Sequence, residues 1–247
     1  MHPSILGAGL CLLVFGPAGL RAAPVPAPAT GPATGPRPAP QTACPANGAA
    51  VLERVFSAEC ADCWASDPGL RQAKARPVPR WVFDWIVPAD AAAPLAAGAL
   101  PESAERAARA TLAGLTAGPA TERHQAPRAL PAGLQLRASS GPAWQGYFGV
   151  QLSLRRPAGT RLPAGSTGWL ALVEQVPGGS DGTPVDRALV RSLAGPLPLE
   201  ALPAGQPLTH LRALRWPASA EPTRLQARAW IEAPDGTILA VAADQCR

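Results

Sequence analysis

Apolar and polar positions along the chain fall into two textures that change near residue 134. Before it, VLERVF (51–56) reads as a β-strand. WVFDWIV (81–87) reads as a stronger one, with aromatic side chains at alternate positions 81, 83 and 85. Residues 65–75 (ASDPGLRQAKA) and 103–115 (SAERAARATLAGL) have helical composition, the first with its start restricted by Pro68 and Gly69. The order strand, helix, strand, helix predicts a parallel strand pair joined by a crossover. Outside these elements, residues 88–133 contain no β-type run and predict no further strand.

From Leu134 onward, short strands separated by turn signals are expected at 146–154, 169–176, 187–193, 210–216, 224–232 and 237–243. In 224–232, Leu225, Ala227, Ala229 and Ile231 alternate with Gln226, Arg228, Trp230 and Glu232, which predicts one buried face and one wet face. Ala233-Pro234-Asp235-Gly236 is a turn signal, so 237–243 should return as a hairpin partner. Five to seven antiparallel strands in this half suggest a small β-sandwich. Gly178-Gly179 and Gly195-Pro196 read as loop residues, since no strand–loop–helix context makes them a phosphate cradle.

The N-terminus has a different character. Ile5 to Phe15 is apolar over the length of a signal-peptide core and too short to span a bilayer. Small residues follow, so 1–23 is read as a signal peptide cleaved after Ala22 or Ala23. The alternative is an uncleaved anchor. Residues 24–43 form a Pro/Ala-rich linker, expected to be disordered because such sequence packs no core. The expected location is therefore periplasmic or secreted, with no membrane span after cleavage.

Composition adds exclusions. The 247 residues include 31 Pro and 24 Gly and carry a formal net charge of +5. Lys74 is the only lysine, and the arginines are scattered, so no basic run tracks a nucleic-acid backbone. Gly178-Gly179-Ser180-Asp181-Gly182 has the spacing Gly-x-Ser-x-Gly, but it lies among loop residues without the strand–turn–helix context of a nucleophile elbow, so it supports no serine hydrolase.

Candidate chemistry rests on cysteine. With Cys11 removed in the signal, Cys44, Cys60, Cys63 and Cys246 remain, an even number that suggests disulfides in an exported chain. Three pairings are possible. The simplest joins Cys60 to Cys63 and leaves Cys44 to clasp Cys246 across the folded region; the alternative is free thiols at both ends. In VFSAECADCWASD (55–67) the close pair follows a strand and precedes a helical stretch, where a helix N-terminus favours a thiolate. Glu59 and Asp62 oppose this, since a nearby like charge disfavours the thiolate. The pair is thus expected to be a redox couple that is not strongly oxidising.

The same stretch resembles the opening of a secreted bacterial thioredoxin-like family known as domain of unknown function twelve-twenty-three. Ser57, Cys60, Cys63 and Asp67 match its pattern, whereas Glu59 replaces a usual Gly and Trp64-Ala65 replace two prolines. Phe83-Asp84-Trp85 resembles the end of the family's second strand. WLALVE (169–174) and LVRSL (189–193) resemble its C-terminal β segment, and some members also carry a cysteine before the domain and one at its end. The resemblance implies a shortened thioredoxin-like domain over 44–133, with an antiparallel β-sandwich-like domain over 134–247. Family members carry a proline loop facing the cysteines; in 88–133 only Pro127 and Pro131 stand out as candidates.

Three functional readings follow. The first is a thiol–disulfide oxidoreductase acting on an exported protein or thiol substrate, with Cys60 attacking, Cys63 resolving and no cofactor. Asp84 would assist deprotonation and Trp64 would shield the sulfurs. The bland versions are a solvated edge-strand aspartate and an ordinary packing aromatic. The second reading is a binding or scaffold module with a degenerate thioredoxin-like half. The third is a copper or zinc carrier built on Cys60, Cys63 and one of His124 or His210. No second cysteine pair or His-x-His completes a tetrahedral site. A monomer is expected.

Overall fold

The computed structural model describes residues 45–66, 80–112, 120–126, 128, 130–200 and 206–246. The signal and linker segments, Cys44 and Pro127 lie outside them. Residues 41–247 group as one compact unit. The N-terminal half of that unit contributes β1 (Ala50–Ser57), α1 (Ala61–Ala65), β2 (Arg80–Val87), α2 (Ser103–Leu112) and β3 (Ala120–Gln125). The remainder contributes β4 (Gln135–Trp144), β5 (Tyr147–Arg155), β6 (Thr167–Val176), β7 (Arg187–Pro198), β8 (Pro207–Arg215), β9 (Leu225–Glu232) and β10 (Ile238–Ala243).

These strands form two sheets. Seven of them make a mixed sheet in the order β10-β9-β6-β7-β2-β1-β3, and three make an antiparallel sheet, β4-β5-β8. β1 and β2 run parallel over their whole length, as the sequence pattern predicts. β2 and β7 are also parallel, but they pair at one position only, Asp84 with Leu189. All other ladders are antiparallel, including the β9–β10 hairpin. The larger sheet therefore runs across residue 134, where the sequence texture suggested a boundary. Its edge strands are tied together by side chains. The Ile238 N–H donates to Gln125 Oε1 (2.7 Å), and Arg123 Nη1 donates to the Gly236 carbonyl (3.0 Å).

One face of this sheet gathers Trp81, Phe83, Trp85, Trp169, Val190 and Trp230, with α2 laid against β1 and β2. The opposite face has two parts. Leu170, Leu172, Ala229 and Ile231 pack against Val150, Leu152 and Leu154 of the small sheet. Farther along, Phe56, Ile86, Leu189 and Val176 pack under Trp64 of α1. Central strands buried on both faces need near-continuous apolar sequence, and β6 (TGWLALVEQV) supplies it.

Four expectations are corrected. The Gln226, Arg228, Trp230 and Glu232 side of β9 is not wet: every residue of the strand is buried. A strand, β3, does occur in 88–133, antiparallel to β1. Its sequence ATERHQ has no apolar signal because it is an edge strand, and edges favour charged side chains. β4 was also missed. It is the exposed edge of the small sheet, with a register shift between Ser140 and Ala143 that accommodates Pro142. Gly195 and Pro196 lie inside β7, not in a loop, and a Cβ on Gly195 would overlap the Trp169 ring.

Candidate functional site

Strand β1 ends in a turn that sets the cysteines. The Ala58 N–H donates to the Val87 carbonyl (2.9 Å) and the Cys60 N–H to the Ser57 carbonyl (3.0 Å), which turns the chain off the sheet into α1. Cys60 is the N-cap residue of α1, and its sulfur is bonded to that of Cys63, with the Cα atoms 5.2 Å apart. Both cysteines are half-buried, while Glu59 and Asp62 are exposed. α1 spans only five residues, so its dipole contributes little at the cysteine pair.

The segment is held down from beneath. Trp64 is buried, meets Phe56 edge-on at 5.7 Å between ring centres, and donates its indole N–H to the Asp181 carbonyl (2.8 Å). Arg187 lies under the helix with its guanidinium 5.0 Å from both the Phe56 and the Trp64 ring centres. Its Nη2 donates to the carbonyls of Trp64 (2.8 Å) and Ser66 (2.6 Å), and Nε donates to Thr183 Oγ1 (3.0 Å). Arg187 thus supplies donors to carbonyls that the end of a helix leaves unpaired.

Asp84 stands one layer deeper and is fully buried. Arg54 grips it in a fork, Nε to Oδ1 at 2.5 Å and Nη2 to Oδ2 at 2.8 Å. The Ala188 N–H donates to Oδ2 (2.6 Å), and Arg187 Nη1 lies 3.9 Å from Oδ1. Asp84 is therefore neither a solvated edge residue nor a hydrogen-bond partner of either cysteine. It is an anion between two arginines, and its link to the cysteine segment runs through Arg187.

A cavity of about 190 Å³ adjoins Trp64, walled by Ile86, Leu95, Val176 and Leu189, with Arg191 at its side. Arg191 Nε sits 2.9 Å from Glu174 Oε2, and its guanidinium also donates to the Ala97 carbonyl (3.2 Å) and Ser219 Oγ (2.9 Å). Burial lowers the Arg191 pKa, and the charges of Glu174 and Asp181 oppose that shift.

The other predicted residues are dispersed. His124 is on β3, paired with Glu122 (3.4 Å), and His210 is on β8, with Nε2 2.8 Å from the Pro198 carbonyl. Among the described residues no group of three His, Cys, Asp or Glu side chains could hold a metal ion. Cys246 is disulfide-bonded; Cys44, its expected partner, is not among the described residues. Pro131 precedes β4 rather than facing α1. No helix among the described residues is long and apolar enough to cross a membrane. Sequence reasoning missed Arg187, Thr183 and Asp181. The available signal was a lone arginine opening an otherwise apolar strand, RALV.

No protein-family model, curated protein or solved structure matches the chain.

Proposed function

We propose that the protein is an exported thiol–disulfide oxidoreductase whose working pair is Cys60–Cys63. The single observation that carries this reading is the placement of that disulfide: it closes on itself, half-buried, at the carboxyl end of a parallel strand. α/β folds build their sites at such ends. Further support is topological. The local strand order β2-β1-β3, with β1 and β2 parallel, β3 antiparallel and α1 and α2 on opposite faces, suits a thioredoxin-like module built into a larger sheet. Export and kinship with the family named above belong to the same proposal.

In the reduced protein, the Cys60 thiolate attacks a substrate disulfide, forming a mixed disulfide and releasing one substrate thiol. Cys63 then attacks Cys60 Sγ, re-forming the intramolecular bond and releasing the second thiol. Two electrons and two protons pass to the substrate. Insulin reduction driven by dithiothreitol tests this. The wild-type chain should accelerate precipitation of the insulin B chain and Cys60→Ser should not. Equal inertness of both would overturn the reading.

A scaffold role is the second reading, favoured by how firmly the segment is anchored through Trp64 and Arg187. In that case the bond would reduce without any acceleration of substrate turnover.

A further inference from the structure

We propose that the outer face of the small sheet, led by the β4–β5 hairpin, docks on an anionic phospholipid surface. The argument begins with register. Val150, Leu152 and Leu154 point into the core and are fully buried, so Tyr147, Gln151 and Arg155 take the opposite side of β5. Tyr147 pairs with Trp144 on one neighbour and Arg215 on the other, and Gln151 pairs with Leu211. Trp144 is 73% exposed, Leu211 63% and Tyr147 45%, and these are the large hydrophobic side chains left in solvent among the described residues. They share one sheet face.

Charge on this sheet is segregated. β4, β5 and β8 contain no Asp or Glu, and no acidic residue occurs anywhere from 123 to 173 or from 201 to 220. Arg137, Arg155, Arg212 and Arg215 are all exposed. No acidic side chain among the described residues pairs with any of the four. The hairpin tip itself, SSGPAWQGYFG (139–149), carries no charge at all. The result is an uncharged wedge bearing Trp and Tyr, with arginines in the rows behind it. Trp and Tyr prefer the bilayer interface, where the ring body sits among acyl chains and the N–H or O–H reaches water. Arginines behind the wedge would meet anionic headgroups, and the three strands themselves carry no acid to repel those headgroups; Asp244, outside the strands, accepts from Ser140 Oγ of the hairpin. Nucleic acid fits less well, since an exposed leucine does not stack on bases and phosphate tracking calls for charge at the tip.

The test is co-sedimentation of the full chain with vesicles of equal parts phosphatidylcholine and phosphatidylglycerol, against phosphatidylcholine alone. Residues 5–15 are apolar and present in every sample, so the reading is the difference between variants. Trp144→Ala/Tyr147→Ala should weaken binding to anionic vesicles at least about tenfold. Arg137→Gln/Arg155→Gln/Arg215→Gln should remove the preference for the anionic lipid and its salt dependence. Because all these side chains are exposed, the variants should unfold with the wild-type midpoint. Brominated lipid should quench the wild-type tryptophan emission and leave Trp144→Ala unquenched, since the other six tryptophans are not exposed. The proposal is overturned by vesicle binding that is the same in wild type and both variants, by no lipid-dependent quenching, or by tighter binding to a single-stranded oligonucleotide through the same residues.

Discussion

Two regions of the seven-stranded sheet solve one problem with different chemistry. Where the sheet packs on the three-stranded sheet, the contact is aliphatic: Leu136, Val150, Leu152, Leu154, Leu170 and Leu172 meet there. Where the N-terminal strands join the C-terminal ones, the joint is ionic and aromatic. β2 and β7 share a single paired position, so side chains supply what the ladder does not. Asp84 accepts from the Ala188 N–H, Arg54 Nη2 donates to the Asp186 carbonyl (3.3 Å), and Arg187 reaches the last carbonyls of α1. On the other face Arg106, from α2, bridges Glu53 of β1 and Glu232 of β9, with Trp85 and Trp230 over its guanidinium. Burial alone would lower the Arg106 pKa; the two carboxylates outweigh it and the net shift is upward. Aliphatic contacts tolerate small slips. A forked arginine on a buried carboxylate does not, so the ionic joint fixes register where backbone pairing is sparse.

The largest effect should come from breaking that joint. Asp84→Ala leaves Arg54 and Arg187 buried without their anion, and removing one member of a buried pair typically costs about 3–5 kcal/mol. Urea unfolding followed by tryptophan fluorescence should show an earlier midpoint and still a single transition. Two separated transitions in the wild type would instead mean that the halves fold independently, and the joint would then be incidental.

Leu152→Ala probes the other side of the comparison. Its side chain is fully buried, so the truncation should cost about 3 kcal/mol through lost transfer energy and an unfilled cavity. The sharper result is the double variant with Asp84→Ala. Leu152 packs within the aliphatic layer, whereas Asp84 is held by Arg54 and the Ala188 N–H, so their costs should add within about 0.5 kcal/mol. A larger coupling would mean that the aliphatic layer and the ionic joint are one cooperative element.

Which of these features the sequence reveals follows from their chemistry. β1, β2, β6 and the β9–β10 hairpin were legible because apolar spacing and turn residues report them directly. The joint was not, because a polar residue on an alternating strand is normally solvated, and the alternation in β9 predicts that for Gln226, Arg228 and Glu232. Nothing local distinguishes Arg228 in β9 from an exposed arginine; its burial depends on β2, far away in sequence. The cysteine pair was legible from spacing alone. Its anchor was not, since Arg187 is separated from Trp64 by more than a hundred residues.

Reduction of Cys60–Cys63 should have a smaller effect than either core change. Closing so short a loop stabilises by only about 2 kcal/mol in the chain-entropy view, and Trp64 and Arg187 hold the segment independently of the bond. The reduced protein should therefore stay folded, with its midpoint moved modestly. Arg187→Met should enlarge the shift on reduction, because both tethers of α1 would then be weakened. The couple should equilibrate with glutathione nearer the thioredoxin end of the range than the strongly oxidising end.

The smallest effect tests how completely a buried guanidinium is compensated. Among the described residues Arg228 has no carboxylate partner at hydrogen-bond distance. It donates to the Val82 carbonyl (2.5 Å) and Gln226 Oε1 (3.0 Å), and its guanidinium lies over the Trp81 and Phe83 rings. Burial pushes its pKa down to about 10, against the opposing charges of Asp84 and Asp244. For a base whose folded pKa lies below its unfolded one, the charged form is penalised in the fold. That penalty is present at neutral pH and is relieved as pH rises through the folded value, because the folded state then binds fewer protons than the unfolded one. Arg228→Met removes the titration while keeping much of the volume. The wild type should therefore gain stability relative to Arg228→Met, by about 1.4 kcal/mol, between roughly pH 8 and pH 11. Paired urea titrations measure the difference and cancel the titration of every other group. A flat difference would mean that the guanidinium stays charged throughout, with the rings and the two acceptors replacing the missing carboxylate. The ionic joint would then tolerate an unpaired arginine, which the aliphatic layer opposite could not.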